Sequence, residues 1–262
     1  MGYSKGIVYY IDILGSKNRE FEDSLKISTI FHDELENVQK RHRKTSVGNR
    51  FVTSFSDCAY IIYEIKKEND KEELLLPYIY TSLFNTANTV AFFVANGFLC
   101  RGGITFGELY FDGEKNIIFG PAITGSYLLE KEAKMPRIIL NDELAEYINK
   151  YDKEIKENNK LEGRSNGEII LKDNIDSRYY LNYLNPFIGA GVVVLGNTAF
   201  QFDKYYCNAR NKSLDIIRSG INHDIIAKHN WHLNYLDNIK NMVDNYVEIT
   251  GEEIISYYKM GQ

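Results

Sequence analysis

Hydrophobic and polar positions along this chain switch between two periods, and each switch marks an element. Ile7-Val8-Tyr9-Tyr10-Ile11-Asp12-Ile13-Leu14-Gly15-Ser16 is mostly apolar, rich in β-branched and aromatic residues, and ends in a Gly-Ser turn. It predicts a buried strand. Over residues 18–43 the apolar Phe21, Leu25, Ile27, Ile30, Phe31, Leu35 and Val38 recur at helical spacing among charges, which predicts an amphipathic helix, or two, packed on one sheet face. The basic run 39–44 reads as its solvated end. Residues 51–63 predict two strands folded at a tight Ser56-Asp57 tip, and 66–73 a charged loop. Leu75, Ile79, Leu83, Ala87, Val90 and Val94 then restore the helical period until Asn96-Gly97 stops it.

The second half of this core begins with 98–111, a strand carrying Gly102, Gly103 and Gly107. Glycine inside a strand often marks close approach of a ligand or another backbone. Asp112-Gly113 is a turn signal and 116–119 a short strand. Gly120-Pro121 opens a helix to about Lys134, because proline suits the first helical position. A strand at 137–140 and a helix at 142–151 follow. Strand, helix, hairpin, helix, strands, helix, strand is the order of an α+β sandwich of ferredoxin-like type, its mainly antiparallel sheet covered by helices.

Residues 152–180 are charged and poor in hydrophobics, predicting a mobile insertion and then a hairpin pairing 168–171 with 178–184. Helical patterns return at 204–219 and 222–248, with apolar faces (Ile216, Ile225, Trp231, Leu236, Ile239 among them) suited to a C-terminal cap or interface. The expected organisation is a core over 1–151, an insertion and sheet-completing hairpin over 152–200, and a helical extension over 201–262. His223, His229 and His232 fall in that extension without an HxxxH-with-acid pattern, so they do not read as a metal cluster.

Composition narrows the picture. A length of 262 residues suits one large domain or a domain with an appendage. The net charge of −5 argues against a dominant nucleic-acid surface. Cys58, Cys100 and Cys207 are scattered, so neither a zinc site nor a disulfide framework is expected. No signal-peptide pattern opens the chain and no apolar run approaches the roughly 18 residues of a membrane span. A reducing cytoplasm, with no membrane and no nucleic-acid partner, is the expectation.

The candidate chemistry lies in two acids. An aspartate at a strand end is costly to half-bury without a cationic partner. If the 51–63 hairpin lies beside the first strand, Asp12 and Asp57 converge. Two carboxylates on neighbouring strand ends suit a divalent cation of the Mg²⁺ kind, with phosphate oxygens and water completing its shell. Each acid could instead cap a turn or a helix.

From Ile7 to about Leu140 the chain resembles the class III nucleotidyl cyclases. Asp12-Ile13-Leu14-Gly15 is similar to that family's first metal-binding strand, and Ser56-Asp57 to the hairpin tip, usually Gly-Asp, that carries its second metal aspartate. Arg101-Gly102-Gly103-Ile104-Thr105-Phe106-Gly107 resembles the Arg-x-Gly-Ile-x-x-Gly strand. Gly120 to Glu130 runs in register with Gly-x-x-Val-Asn-x-Ala-x-Arg-Leu-Glu, and Pro136-Arg137-Ile138-Ile139-Leu140 with the strand that follows. Details of the Gly120–Glu130 and Pro136–Ile138 motifs, and a tail motif from Lys228 to Tyr235, look like the pyrimidine cyclases of bacterial anti-phage Pycsar systems.

The resemblance implies roles. Asp12 and Asp57, with the Ile13 carbonyl, would bind two divalent ions, Mg²⁺ or Mn²⁺. Phosphates would lie against Leu14-Gly15, and Arg101 and Arg137 would bind the triphosphate, for which a guanidinium fork is suited. Sites shared between two subunits imply a homodimer. Thr124 stands where purine cyclases place asparagine and could still hydrogen-bond a ribose or phosphate oxygen. Leu128 replaces a transition-state arginine and cannot supply its charge; Arg50 or Lys134 could take it over. Phe51 and Ile117 occupy the positions of the Lys-Asp pair that reads adenine, and they lack its hydrogen bonds. Phe51 would shorten the pocket, with Arg50 or Thr53 left to contact a pyrimidine carbonyl. The implied activity is conversion of UTP, or CTP, to the 3′,5′-cyclic monophosphate, read by a separate cyclic-nucleotide-sensing effector. A purine cyclase and an inactive nucleotide-sensing cyclase fold are the alternatives.

Overall fold

The N-terminal apolar run forms β1 (Ser4–Ile13), and its near-complete burial follows from having a strand on each side and helices on both faces. The computed structural model describes residues 2–15, 19–41, 47–67, 71–157, 169–187, 192–195, 198–220 and 222–250. Of the insertion expected over 152–180, residues 158–168 lie outside them, as does the part of the basic run beyond Arg41.

The chain continues through α1 (Phe21–Lys40), the hairpin β2 (Gly48–Phe55) and β3 (Cys58–Ile65), α2 (Glu72–Ala95) and β4 (Cys100–Asp112). β4 and β3 flank β1, both antiparallel, and β2 lies outside β3. This βαββαβ order with strands β2-β3-β1-β4 is the split arrangement expected of a ferredoxin-like sandwich. β5 (Ile117–Phe119) turns back on the end of β4, and α3 (Pro121–Ala133) leads to β6 (Ile138–Leu140), which joins β4 in parallel. α4 (Asp142–Glu157) runs six residues past the expected end at 151. The hairpin β7 (Ile170–Lys172) and β8 (Tyr179–Leu181) extends the sheet to the order β2-β3-β1-β4-β6-β8-β7. A small hairpin that the sequence pattern did not suggest, β9 (Val192–Leu195) and β10 (Thr198–Gln201), precedes α5 (Phe202–Ser219) and α6 (His223–Thr250).

Alternation along β1 divides the core. Ile7, Tyr9, Ile11 and Ile13 face the larger cluster, with Phe31 and Leu35 of α1, Ile79 and Leu83 of α2, and Trp231 and Leu236 of α6. Val8 faces the opposite side, with Ile62, Leu109 and the Ala122 and Ile123 of α3. α3 comes very close there: a Cβ on Gly103 would sit 2.2 Å from the Ser126 carbonyl oxygen, so glycine is required. The apolar stripe read from α1 is only half used. Phe31, Leu35 and Val38 are buried, while Phe21 and Leu25 stay exposed. No helix among the described residues is long and apolar enough to cross a membrane.

Candidate active site

Asp12 is on the α3 side of the sheet, two residues beyond Tyr10 and in register with Cys58 of β3 and Arg101 of β4. The β2–β3 loop has two residues, and Ser56 holds a φ of +56°. Glycine takes that conformation freely, whereas serine pays about 1 kcal/mol. The tip is tied down from two directions. Ile13 N–H donates to the Asp57 carbonyl at 2.9 Å. His32 of α1 bonds Ser54 Oγ through Nδ1 at 2.9 Å and the Ser56 carbonyl through Nε2 at 3.0 Å. Asp57 is thereby held at the end of β1, close enough that its charge acts on Asp12.

A third acid joins them. Arg101 Nε lies 3.5 Å from Asp12 Oδ2 and also pairs with Glu130 of α3, whose side chain is 6% exposed. The Arg101–Glu130 contact is an ion pair without hydrogen-bond geometry. Burial first, then Glu130 and Asp57, push the Asp12 carboxyl up to about 6, against the opposing pull of Arg101. Acids thus outnumber the cation at a half-buried strand end. That imbalance is what a divalent ion relieves, and the hard oxygen donors suit Mg²⁺ or Mn²⁺. Among the described residues no three His, Cys, Asp or Glu side chains are grouped to hold an ion unaided. Asp12 and Asp57 would need the Ile13 carbonyl and ligand oxygens to complete the shell.

The Leu14-Gly15 turn follows directly, Gly15 at a φ of +78°. Arg19 Nη2 donates to the Leu14 carbonyl at 2.7 Å, which draws its half-buried guanidinium across the turn. Beyond Asp12 the sheet face is aromatic. The Tyr10 ring lies 4.8 Å from Tyr60 and 5.5 Å from Tyr127. Burial raises both the Tyr10 and Tyr60 phenols, Tyr60 to about 12, so they stay protonated donors. Further along, Phe51 stacks on Phe111 with centroids 4.0 Å apart, and Thr53 Oγ1 donates to Asn116 Oδ1 at 2.9 Å. The Phe51 and Thr53 side chains therefore share a face with Asp12.

Several expected site residues lie elsewhere. Arg50 alternates to the other face of β2, is buried, donates to the Val38 carbonyl and lies over the Tyr63 ring. It cannot contact a base on the Phe51 side. Arg137 is 3% exposed and is engaged by Asp173 and Asp176, with the Trp231 ring 6.0 Å away. A side chain so enclosed is committed to tying β6 to the β7–β8 turn. Ile117 is 43% exposed, and it is its neighbour Ile118 that packs against the core cluster on which Phe51 also lies. Thr124 and Leu128 lie on the exposed side of α3, away from the buried face that carries Glu130.

Sequence reading missed Glu130, Arg19 and the tyrosines. Glu130 had a signal: it is a charge within the stripe Ala122, Ile123, Ser126, Leu129, Ala133 that α3 buries. Arg19 had none beyond its nearness to the Gly15 turn.

No family model and no curated protein sequence matches the chain. Among solved structures it is similar to the catalytic core of a rhodopsin-guanylyl cyclase with converted specificity in complex with ATPαS. The identity is 12%, the TM-score 0.41, and the match covers 69% of this chain and 96% of that one. It is also similar to a bacterial light-regulated adenylyl cyclase, at 14% identity and a TM-score of 0.40 over 71% of this chain and 94% of that one.

Proposed function

We propose that this chain is a nucleotidyl cyclase that converts a pyrimidine nucleoside triphosphate, UTP in preference to CTP, to its 3′,5′-cyclic monophosphate and pyrophosphate. The observation that carries the reading is the hydrogen bond from Ile13 N–H to the Asp57 carbonyl, because it holds the second aspartate at the strand end that bears the first. The ordered motif resemblance from Ile7 to Leu140 supports it.

In the reaction the ribose 3′-oxygen bonds to the α-phosphorus, the bond to the β-phosphate bridging oxygen breaks, and the hydroxyl proton leaves to solvent. Asp12, Asp57 and the Ile13 carbonyl would hold Mg²⁺ or Mn²⁺; when bound, such ions neutralise triphosphate charge and lower the pKa of the attacking hydroxyl. The chain's own part is positioning and charge balance. Arg101 offsets negative charge beside Asp12. The positive-φ turn at Gly15 brings backbone close to the phosphates without an intervening side chain. Phe51, stacked on Phe111, limits the depth available to a base, and Thr53 offers a hydroxyl on the same face. Thr124, on the exposed side of α3, would reach a ribose or phosphate oxygen from a second copy of the chain in a homodimer sharing its sites. The product would serve as a second messenger for a separate cyclic-nucleotide-sensing effector, as the likeness to anti-phage cyclases implies.

The test is incubation of the protein with each of the four ribonucleoside triphosphates and Mn²⁺, with products identified by mass spectrometry. Cyclic UMP, with less cyclic CMP, is expected from the wild type and nothing from Asp57→Ala. Faster turnover of ATP or GTP overturns the pyrimidine assignment. Wild-type turnover in Asp57→Ala overturns the two-aspartate site.

A further inference from the structure

We infer that Arg19 is the cation that receives the polyphosphate of the substrate, filling the role vacated by Leu128 and by the enclosed Arg137. The inference rests on the cyclase reading of the Asp12–Asp57 site. The cations that sequence offered for phosphate charge are largely committed. Arg137 is closed in by Asp173 and Asp176, and Arg50 is buried on the other sheet face. Arg101 already answers Asp12 and Glu130.

Arg19 differs in place and in partners. Its Nη2 donates to the Leu14 carbonyl at 2.7 Å, and the same nitrogen is 3.8 Å from the point where a Gly15 Cβ would project. The guanidinium therefore spans the turn that immediately follows the metal-type aspartate strand. One carbonyl occupies one of five guanidinium N–H donors, leaving the rest of the fork for a bidentate anion. Gly15 has no side chain to stand between that fork and a phosphate. Asp57, the second aspartate of the site, is among the groups whose charge acts on Arg19, so an anion bound with a divalent ion at Asp57 would lie within reach of the guanidinium. The bond to Leu14 also fixes the planar group before the ligand arrives, which reduces the ordering cost of binding.

The bland alternative is that Arg19 only staples the turn. The two roles separate by binding rather than folding. Tripolyphosphate with Mn²⁺ serves as the probe, titrated calorimetrically into wild type, Arg19→Lys and Arg19→Gln, with thermal unfolding measured alongside. The wild type should bind it. Arg19→Gln should bind at least about tenfold more weakly, the loss expected for charge-assisted bonds to phosphate. Arg19→Lys should fall between, because it keeps the charge and loses the fork. The KM for the triphosphate should rise with tripolyphosphate Kd, while unfolding temperatures stay within a few degrees. Wild-type binding by Arg19→Gln overturns the proposal, as does a wild type that fails to bind the probe. A wild type that binds tripolyphosphate through Arg19 yet cyclises no nucleotide sinks the cyclase reading and leaves the anion site standing.

Discussion

Arg101 and Asp12 stand directly opposite each other on adjacent antiparallel strands, with Nε 3.5 Å from Oδ2, and the same guanidinium reaches Glu130 on the helix above. One cation therefore serves two acids that burial would otherwise penalise. The arrangement makes the end of β1 a poised negative site. A divalent ion or a basic group can enter it with gain, whereas removal of Arg101 leaves it in surplus.

Replacing Arg101 by alanine should cost stability as well as turnover. Glu130 would be left buried without its partner, a loss on the order of 2–4 kcal/mol by the behaviour of broken buried pairs. Urea unfolding at pH 8 measures it. The double variant Arg101→Met/Glu130→Leu removes both charges and should recover most of that stability, while the turnover expected of the proposed activity stays low. Equal stability of wild type and Arg101→Ala would show that the pair supports nothing.

Arg137 gives the opposite pattern. Its guanidinium, 2% exposed, joins β6 to the β7–β8 turn through Asp173 and Asp176, and Trp231 Nε1 donates to the same Asp173 at 2.7 Å. Arg137→Ala should cost about 3–5 kcal/mol, because Asp173 then stays buried without a counter-charge. Tripolyphosphate affinity of the folded fraction should remain as in the wild type. A stable Arg137→Ala that has lost tripolyphosphate binding would restore the phosphate role that sequence suggested.

That contrast explains what sequence could and could not reveal. Strand and helix periods placed β1 to β4 and their helices because burial on one or both faces imposes those periods. Asp12 and Asp57 were legible because both sit where a strand meets a tight turn, and local pattern fixes such places. Arg50 was not. Its strand was read as beginning at Phe51, whereas β2 begins at Gly48, so Arg50 fell outside the alternation that decides which face a side chain takes. Arg137 was hidden for another reason: its partners are 36 and 39 positions away, in a turn whose acids look like any solvated loop. Glu130 meets Arg101 and Asp12 only once α3 folds onto Gly103.

The C-terminal helices should carry a pH signature separate from the site. His232 is buried on α6, with Nδ1 2.9 Å from Ser213 Oγ and Nε2 2.9 Å from Tyr183 Oη; His229 Nδ1 is 3.1 Å from the same Ser213. Burial first, then His229, lower the His232 imidazole to about 3. The unfolded chain therefore binds this proton in a range where the folded chain does not. The stability that depends on neutral His232 is complete above pH about 6.5 and declines as pH falls toward 3, by at most about 1.4 kcal/mol per pH unit. Denaturant titrations between pH 4 and 8 should show this slope in the wild type and a shallower one in His232→Gln. Identical slopes would remove His232 as the cause.

Base choice should turn on Phe51. Its ring stacks on Phe111 at 4.0 Å on the sheet face that carries Thr53, and in the proposed site that stack would be the wall that limits the depth open to a base. The fused rings of a purine need several ångströms more depth than a pyrimidine, and apolar walls supply no hydrogen bonds to compensate. Phe51→Ala removes one half of the stack and opens space without touching Asp12, Arg101 or the Ser56-Asp57 tip. Loss of the stack and its burial should cost about 2–4 kcal/mol of stability, since Phe51 is only partly buried. The ratio of kcat/KM for ATP to that for UTP should rise at least about tenfold, the scale of selectivity that shape alone provides. Phe51→Leu should rise less, because it keeps part of the volume. Competition assays with equal UTP and ATP read the ratio directly and do not depend on the fraction folded. An unchanged ratio in Phe51→Ala would mean that Phe51 is a core residue only. The discrimination would then have to come from the Tyr10, Tyr60 and Tyr127 wall beside Asp12, where the raised Tyr10 and Tyr60 phenols remain hydrogen-bond donors.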